Sequence, residues 1–264
     1  MDTNSPKKYR LGVALSGGGA RGFAHAGALK ALEEAGLKPD VIAGVSAGSV
    51  ISVLYAAGMK PDDMLKIFDG QKFSSLASIN GRGSLFEIGR FSRFILKNIK
   101  PYTRLEELPM PTYIGVTDFD AGVPAEFSHG EIAKVMTASC SIPIVFKPIS
   151  IDGTRYVDGG VLHNLPAWVL RDKCDYLIGI NCSPLLTADT DSNSMMDIAM
   201  RTFQLMSKAN QAEDMAMCDL AVELRDIAYY NIFNLKDIRK VFISGYASTR
   251  HALKQLDRTQ PPFV

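Results

Sequence analysis

A chain of 264 residues that is 47% hydrophobic and 22% charged has the make-up of a folded globular protein, which excludes a disordered one. A formal net charge of +1 leaves no electrostatic footprint for nucleic acid, and no apolar run approaches the ~20 residues that span a bilayer. The first ten residues are polar, without the apolar core of a signal peptide, and Cys140, Cys174, Cys182 and Cys218 lack C-x-x-C spacing, so a reduced, cytoplasmic setting with structural thiols is expected.

Residues 9–16 read as a buried strand that runs straight into Gly17-Gly18-Gly19-Ala20-Arg21-Gly22. Residues 24–35 follow with helical spacing closed by Gly36, and Pro39-Asp40 turns the chain into a second strand over 41–45. That strand ends in Gly44-Val45-Ser46-Ala47-Gly48, after which Val50, Val53, Leu54 and Ala57 recur at helical spacing. Strand, loop, helix, strand, sharp turn and helix in succession predict a mostly parallel sheet with helices packed on both faces. Pro61 starts a further helix. Residues 70–111 break the alternation and read as an inserted cap, with a turn at 81–84 and an amphipathic helix over 86–99. Its Arg90, Arg93, Lys97 and Lys100 suit either a solvated face or contact with anionic headgroups.

Further strands are expected at 113–118, 125–127, 154–158, 175–181 and 220–224, with helices at 131–138, 166–171, 194–217 and 241–256. Along the 194–217 helix, Met196, Ala199, Met200, Phe203 and Met206 form one apolar stripe, which reads as core or as a groove for acyl chains. No repeat or linker composition appears, so residues 1–264 are expected to form one three-layer α/β/α domain.

The chemistry centres on Ser46. Its Gly-x-Ser-x-Gly setting between a strand and a helix is that of a nucleophile elbow, a strained turn that exposes the serine hydroxyl at a helix N-terminus. Gly44 and Gly48 remove the side chains that would obstruct so tight a bend. The loop at 17–22 formally matches the dinucleotide fingerprint G-x-G-x-x-G, but no acid closes the second strand, where such a site holds its ribose. A P-loop is excluded because Phe23 and Ala24 stand where Lys and Ser/Thr are required. The remaining use is an oxyanion hole, in which the backbone N–H groups of Gly17, Gly18 and Gly19 meet the charge that develops in acyl transfer. Arg21 either pins that loop through nearby carbonyls or is solvated.

A serine nucleophile needs a proton acceptor. His25 reads as packed, His129 as a surface turn residue and His251 as part of the last helix, which leaves His163 as a triad candidate. Asp158 is the sharper choice, because it ends a strand and is exposed by Gly159 and Gly160. A desolvated carboxyl there would have a pKa raised toward that of a base.

Taken together, Gly17–Gly22, Gly44–Gly48 and Asp158-Gly159-Gly160 resemble, in order, the three signatures of the patatin-like phospholipases, in the form of a bacterial-type single-domain member. Ala138-Ser139-Cys140-Ser141-Ile142-Pro143 and Phe146-Lys147-Pro148 resemble the segment between elbow and aspartate. The resemblance covers roughly residues 11–181. It implies a Ser46–Asp158 dyad, an oxyanion hole at Gly17 to Gly19, and hydrolysis of acyl esters of phospholipids or related lipids without metal or cofactor. His163 departs from it, standing where many relatives carry asparagine. The alternatives are a general carboxylesterase or lysophospholipase, or a catalytically idle lipid-binding relative.

Overall fold

The computed structural model describes residues 7–71, 78–79, 86–87, 89–185 and 194–263. The first two parallel strands, β1 (Tyr9–Leu15) and β2 (Val41–Val45), lie side by side, joined through helix α1 (Phe23–Glu34). Their side chains alternate between the sheet faces, as extended backbone requires. Leu11, Val13, Leu15 and Ile42 join one core cluster; Ala14, Val41 and Ala43 join the other. Helix α2 (Ala47–Ala56) follows β2 directly, and α3 (Pro61–Phe68) follows α2 with Pro61 opening its first turn.

Next come the two-residue strands β3 (Ser78–Ile79) and β4 (Phe86–Glu87), which pair antiparallel, and helix α4 (Gly89–Asn98). The helix expected over 86–99 therefore begins three residues later, since Phe86 belongs to a strand; the turn expected at 81–84 lies outside the described residues. On α4, Ile95 is buried while Arg90, Arg93 and Lys97 are exposed. Beyond it lie β5 (Thr112–Asp118), β6 (Val123–Phe127), α5 (Ile132–Ser139), β7 (Ile149–Ile151), β8 (Thr154–Asp158), α6 (Ala167–Leu170) and β9 (Cys174–Asn181). The chain ends with α7 (Met195–Ala209), α8 (Gln211–Ala216), β10 (Leu220–Glu223) and α9 (Ile238–Lys254).

The main sheet has the order β10-β9-β1-β2-β5-β8-β7, with β6 on the other side of β5. Its first five strands are mutually parallel; β6 and β8 run antiparallel to β5, and β7 runs antiparallel to β8. One register decides where the site forms. Strand β2 pairs with the first half of β5 and places Val45 opposite Gly115, while β8 pairs with the second half and places Asp158 opposite Val116. The C-terminal ends of β2 and β8 therefore meet on adjacent residues of β5.

Helices α1 and α9 cross closely through Gly27 and Gly245, where an added Cβ would lie 2.0 Å from Phe242 O and 2.1 Å from Ala24 O. The opposite face is covered by α6, whose Ala167, Val169 and Leu170 are buried against Val41 and Leu177. Layers on both faces confirm the expected three-layer α/β arrangement. The one long helix expected over 194–217 is instead two, broken at Asn210, whose side-chain amide donates to Leu162 O at 2.9 Å. Of its expected stripe, Met200 and Phe203 pack against Ile142, Val145 and Phe146, while Met206 faces outward at 38% exposure. The Met196 side chain lies outside the described residues. Cys174 sits inside β9 rather than beside it, and Cys140, Cys174, Cys182 and Cys218 are all free thiols. Among the described residues, no helix is long and apolar enough to cross a membrane.

Candidate active site

Ser46 caps α2 with φ 51° and ψ −120°, a left-handed conformation that strains a residue carrying a Cβ. The bend is tight enough that a Cβ on Gly44 would lie 2.3 Å from Gly48 O, and one on Gly48 would lie 2.2 Å from Leu15 O. Neither position can carry a side chain. The strain is held by hydrogen bonds on both sides of the residue. Ser46 N donates to Ser139 Oγ at 2.8 Å, and Ser139 Oγ in turn donates to Gly115 O at 2.7 Å. Ser46 O accepts from Ser49 N at 2.9 Å and from the Ser49 hydroxyl at 2.6 Å.

Asp158 is brought alongside by the head-on meeting of β2 and β8 and is fully buried. Its Oδ1 accepts from Gly160 N at 2.8 Å, whereas Oδ2 is buried without a fully formed hydrogen bond. Burial pushes the carboxyl pKa up to about 7, against the downward pull of the Gly160 N–H and the Ser46 hydroxyl. The serine hydroxyl is thus a polar neighbour of the carboxyl, and Oδ2 is the carboxyl oxygen that remains open.

The glycine loop crosses beside Ser46, and its three N–H groups differ. Gly17 N donates to Asn164 O at 3.1 Å, so it is already engaged, contrary to the expectation that it serves as an oxyanion donor. The N–H groups of Gly18 and Gly19 carry no hydrogen bond among the described residues. Ala47 opens α2, where a first-turn N–H has no partner within the helix. Arg21 pins the loop, donating to Ala228 O at 2.6 Å and to Tyr230 O at 2.8 Å, and Ala20 N adds a bond to Ile232 O at 2.7 Å. Gly159 also sits where a Cβ has no room, 2.9 Å from Gly115 O.

Beneath the loop lies a buried polar cluster. Cys182 N donates to Ser16 Oγ at 2.9 Å, and Ser16 Oγ donates to Gly17 O at 3.0 Å. His25 Nε2 lies 2.8 Å from Ser16 O and 3.1 Å from Cys182 Sγ. Because a carbonyl only accepts, the ring carries its proton on Nε2. Burial holds His25 down at about 4 and pushes Cys182 up to about 12, so both groups are neutral and act as supports.

The other histidines stand apart from Ser46. His129 and His251 are exposed. His163 Nδ1 lies 2.8 Å from Asp214 Oδ1, a fully buried carboxylate that burial pushes up to about 6 against the pull of His163. Neither His163 nor Asp214 lines the depressions at Ser46.

Two depressions open from Ser46. One is an apolar pocket of about 110 Å³ among Ala47, Val50, Phe68, Phe91, Ile142 and Ile232. The other is a larger cleft of about 830 Å³ that takes in Gly18, Asp158, Asn164, Arg201 and Ser207. Motif reasoning missed Ser139, Asn164 and the 228–235 segment. Nothing in the sequence distinguishes Ser139 from Ser141, and the carbonyls that hold Arg21 have no side-chain signature.

A family model described as patatin-like phospholipase matches residues 13–171. The chain belongs to the patatin-like phospholipase family. The match contains the glycine loop, Ser46, Ser139, Asp158 and Asn164, while the carbonyls that hold Arg21 lie beyond it. Among curated relatives, Lysophospholipase nte1 of Aspergillus fumigatus is 31% identical over 192 residues, 69% of this chain and 12% of that protein. Lysophospholipase NTE1 of Saccharomyces cerevisiae is 31% identical over 179 residues, 65% of this chain and 11% of that protein. The patatin-like chain thus spans about 12% of the length of the curated relatives it matches. Among solved structures, VipD from Legionella pneumophila shares the fold with a TM-score of 0.62 at 16% identity, over 94% of this chain and 67% of that one.

Proposed function

We propose that the protein is a serine hydrolase of acyl lipids, acting through Ser46 and Asp158 with an acyl-enzyme intermediate. The observation that carries this reading is a strained elbow serine beside a buried carboxyl whose Oδ2 is uncommitted and whose pKa is raised to about 7. Family membership and the names of the lysophospholipase relatives support a lipid ester as the substrate.

In the first half of the reaction, Ser46 Oγ attacks the ester carbonyl carbon as its proton passes to Asp158 Oδ2. The carbonyl oxygen becomes an oxyanion, met by the N–H groups of Gly18 and Gly19 and by that of Ala47 at the helix N-terminus. Collapse breaks the ester C–O bond, and Asp158 returns the proton to the departing alcohol. In the second half Asp158 takes a proton from water, the resulting hydroxide attacks the acyl-enzyme, and the proton goes back to Ser46 Oγ as the carboxylic acid leaves. A base with a pKa near the working pH is well matched to both proton transfers. The apolar pocket suits the acyl chain, and the wider cleft suits the alcohol portion and its headgroup. Ile198 at the rim of that cleft is 54% exposed, which suits brief contact with a lipid surface.

The direct test incubates purified protein with a fluorophosphonate probe and, separately, with a mixed lipid extract. Ser46 should carry the probe, and fatty acid should be released. A folded protein that does neither is an idle lipid-binding relative.

A further inference from the structure

The two depressions at Ser46 differ in what they can hold. The side-chain wall of the smaller one is carbon except for Ser46 Oγ and the Cys140 thiol, whose pKa burial pushes up to about 12. The larger cleft includes Asp158, Asp197 and Arg201 and would cost a hydrocarbon chain those groups' hydration. An acyl group on Ser46 therefore belongs in the smaller pocket. It runs along α2 past Ala47 toward Val50 and Ile51, roughly 6 Å from Ser46 along the helix axis.

Phe68, at the end of α3 and 3% exposed, stands in the wall of this pocket with Phe23 and Phe91. Its ring is braced edge-on against Phe23 at 4.9 Å and against Phe94 at 5.1 Å, with Phe91 at 6.3 Å. Aromatic rings packed edge to face on several neighbours resist displacement. The space between these walls is about 110 Å³. A protein cavity of about 150 Å³ admits one benzene ring, six carbons, so this one takes a chain of no more than about six.

We infer that Phe68 is the chain-length gauge of the enzyme, the pocket it walls seating about the first six carbons of an acyl chain. This rests on the acyl-hydrolase reading of the same site. Each methylene that enters an apolar pocket raises binding by about fourfold. Along a series of esters, kcat/KM climbs by about that factor per carbon until the chain meets the Phe68 ring, and then stops climbing. Removing the ring in Phe68→Ala opens room comparable to one benzene ring and moves the break outward by several carbons.

The experiment measures kcat/KM for p-nitrophenyl esters of two to twelve acyl carbons, each below its aggregation concentration, with wild-type enzyme and Phe68→Ala. The break is located within each variant, so a general loss of activity does not disturb it. Expected is a wild-type break near six carbons and a Phe68→Ala break at ten or beyond. A wild-type profile that climbs through twelve carbons overturns the proposal, as does an unmoved break in Phe68→Ala. Should Phe68→Ala fail to fold, Phe68→Leu and the half-buried Phe91→Ala must each lengthen the preferred chain, and an unchanged profile in either overturns it. Turnover without a break refutes the gauge alone. No turnover on any ester, with Ser46 unlabelled by fluorophosphonate, refutes the hydrolase reading beneath it.

Discussion

Replacing Asp158 by asparagine should make the protein more stable while it silences catalysis, and the gain should have a defined pH dependence. Burial raises the Asp158 pKa from 3.8 to about 7 in the folded chain, while the unfolded chain keeps the ordinary value. Between about pH 4 and pH 7 the folded state holds a proton that the unfolded state has released. Stability therefore falls as pH rises through that window, by about 1.4 kcal/mol per unit. Over roughly three units the cost reaches an upper bound of about 4 kcal/mol above pH 7, and below pH 4 it vanishes. The Asp158→Asn variant escapes this cost, since an amide keeps the shape, accepts from the Gly160 N–H through its oxygen and never ionises. For a chain of this size the gain corresponds to a melting temperature higher by on the order of 10 °C at pH 8. Thermal unfolding of wild type and Asp158→Asn at unit steps from pH 4 to pH 8 reads it directly. A melting difference that is constant across the range would refute the burial argument. The same titration should appear in wild-type kcat/KM as an ascending limb with its midpoint near pH 7, because only the ionised carboxyl accepts the serine proton.

Ser46→Gly should lose turnover yet gain about 1 kcal/mol of stability in urea unfolding, because glycine adopts a φ of 51° without strain. Ser139→Ala leaves the Ser46 N–H unpaired at a strained residue, so kcat on a soluble ester should fall by about tenfold or more with KM little changed. His163→Asn should keep kcat/KM within about tenfold, a barrier change of ~1.4 kcal/mol, since His163 is engaged with Asp214 rather than Ser46. It should lower the melting temperature, since the buried Asp214 loses a charge-capable partner. Loss of several orders of magnitude in that well-folded variant would restore His163 as the base.

The first sixty residues were legible because their signals are local. An apolar strand, a glycine turn, a helical period and a second strand follow one another without interruption, and Gly-x-Ser-x-Gly names its own geometry. Asp158 was legible as a strand end followed by glycines. That it reaches Ser46 by running antiparallel into the end of β2 was not, because strand direction is set by pairing to β5, about forty residues earlier in the chain. The partner of His163 lies 51 residues on, at Asp214, and no spacing rule links them. The break at Asn210 was hidden because 194–217 keeps helical composition throughout, and a tertiary bond to Leu162 O overrides that propensity. Gly17 carries the same letter as Gly18 and Gly19, and only its bond to Asn164 O separates it from them.

The most direct test of the Ser46 mechanism is to trap the acyl-enzyme itself. Purified protein is mixed with a p-nitrophenyl ester, quenched in acid within the first turnovers, digested and mapped by mass. The mechanism predicts an added acyl mass on the peptide that holds Ser46, its amount matching the initial release of nitrophenol. Continued nitrophenol release with Ser46 unmodified, or with the acyl group on another residue, would contradict it.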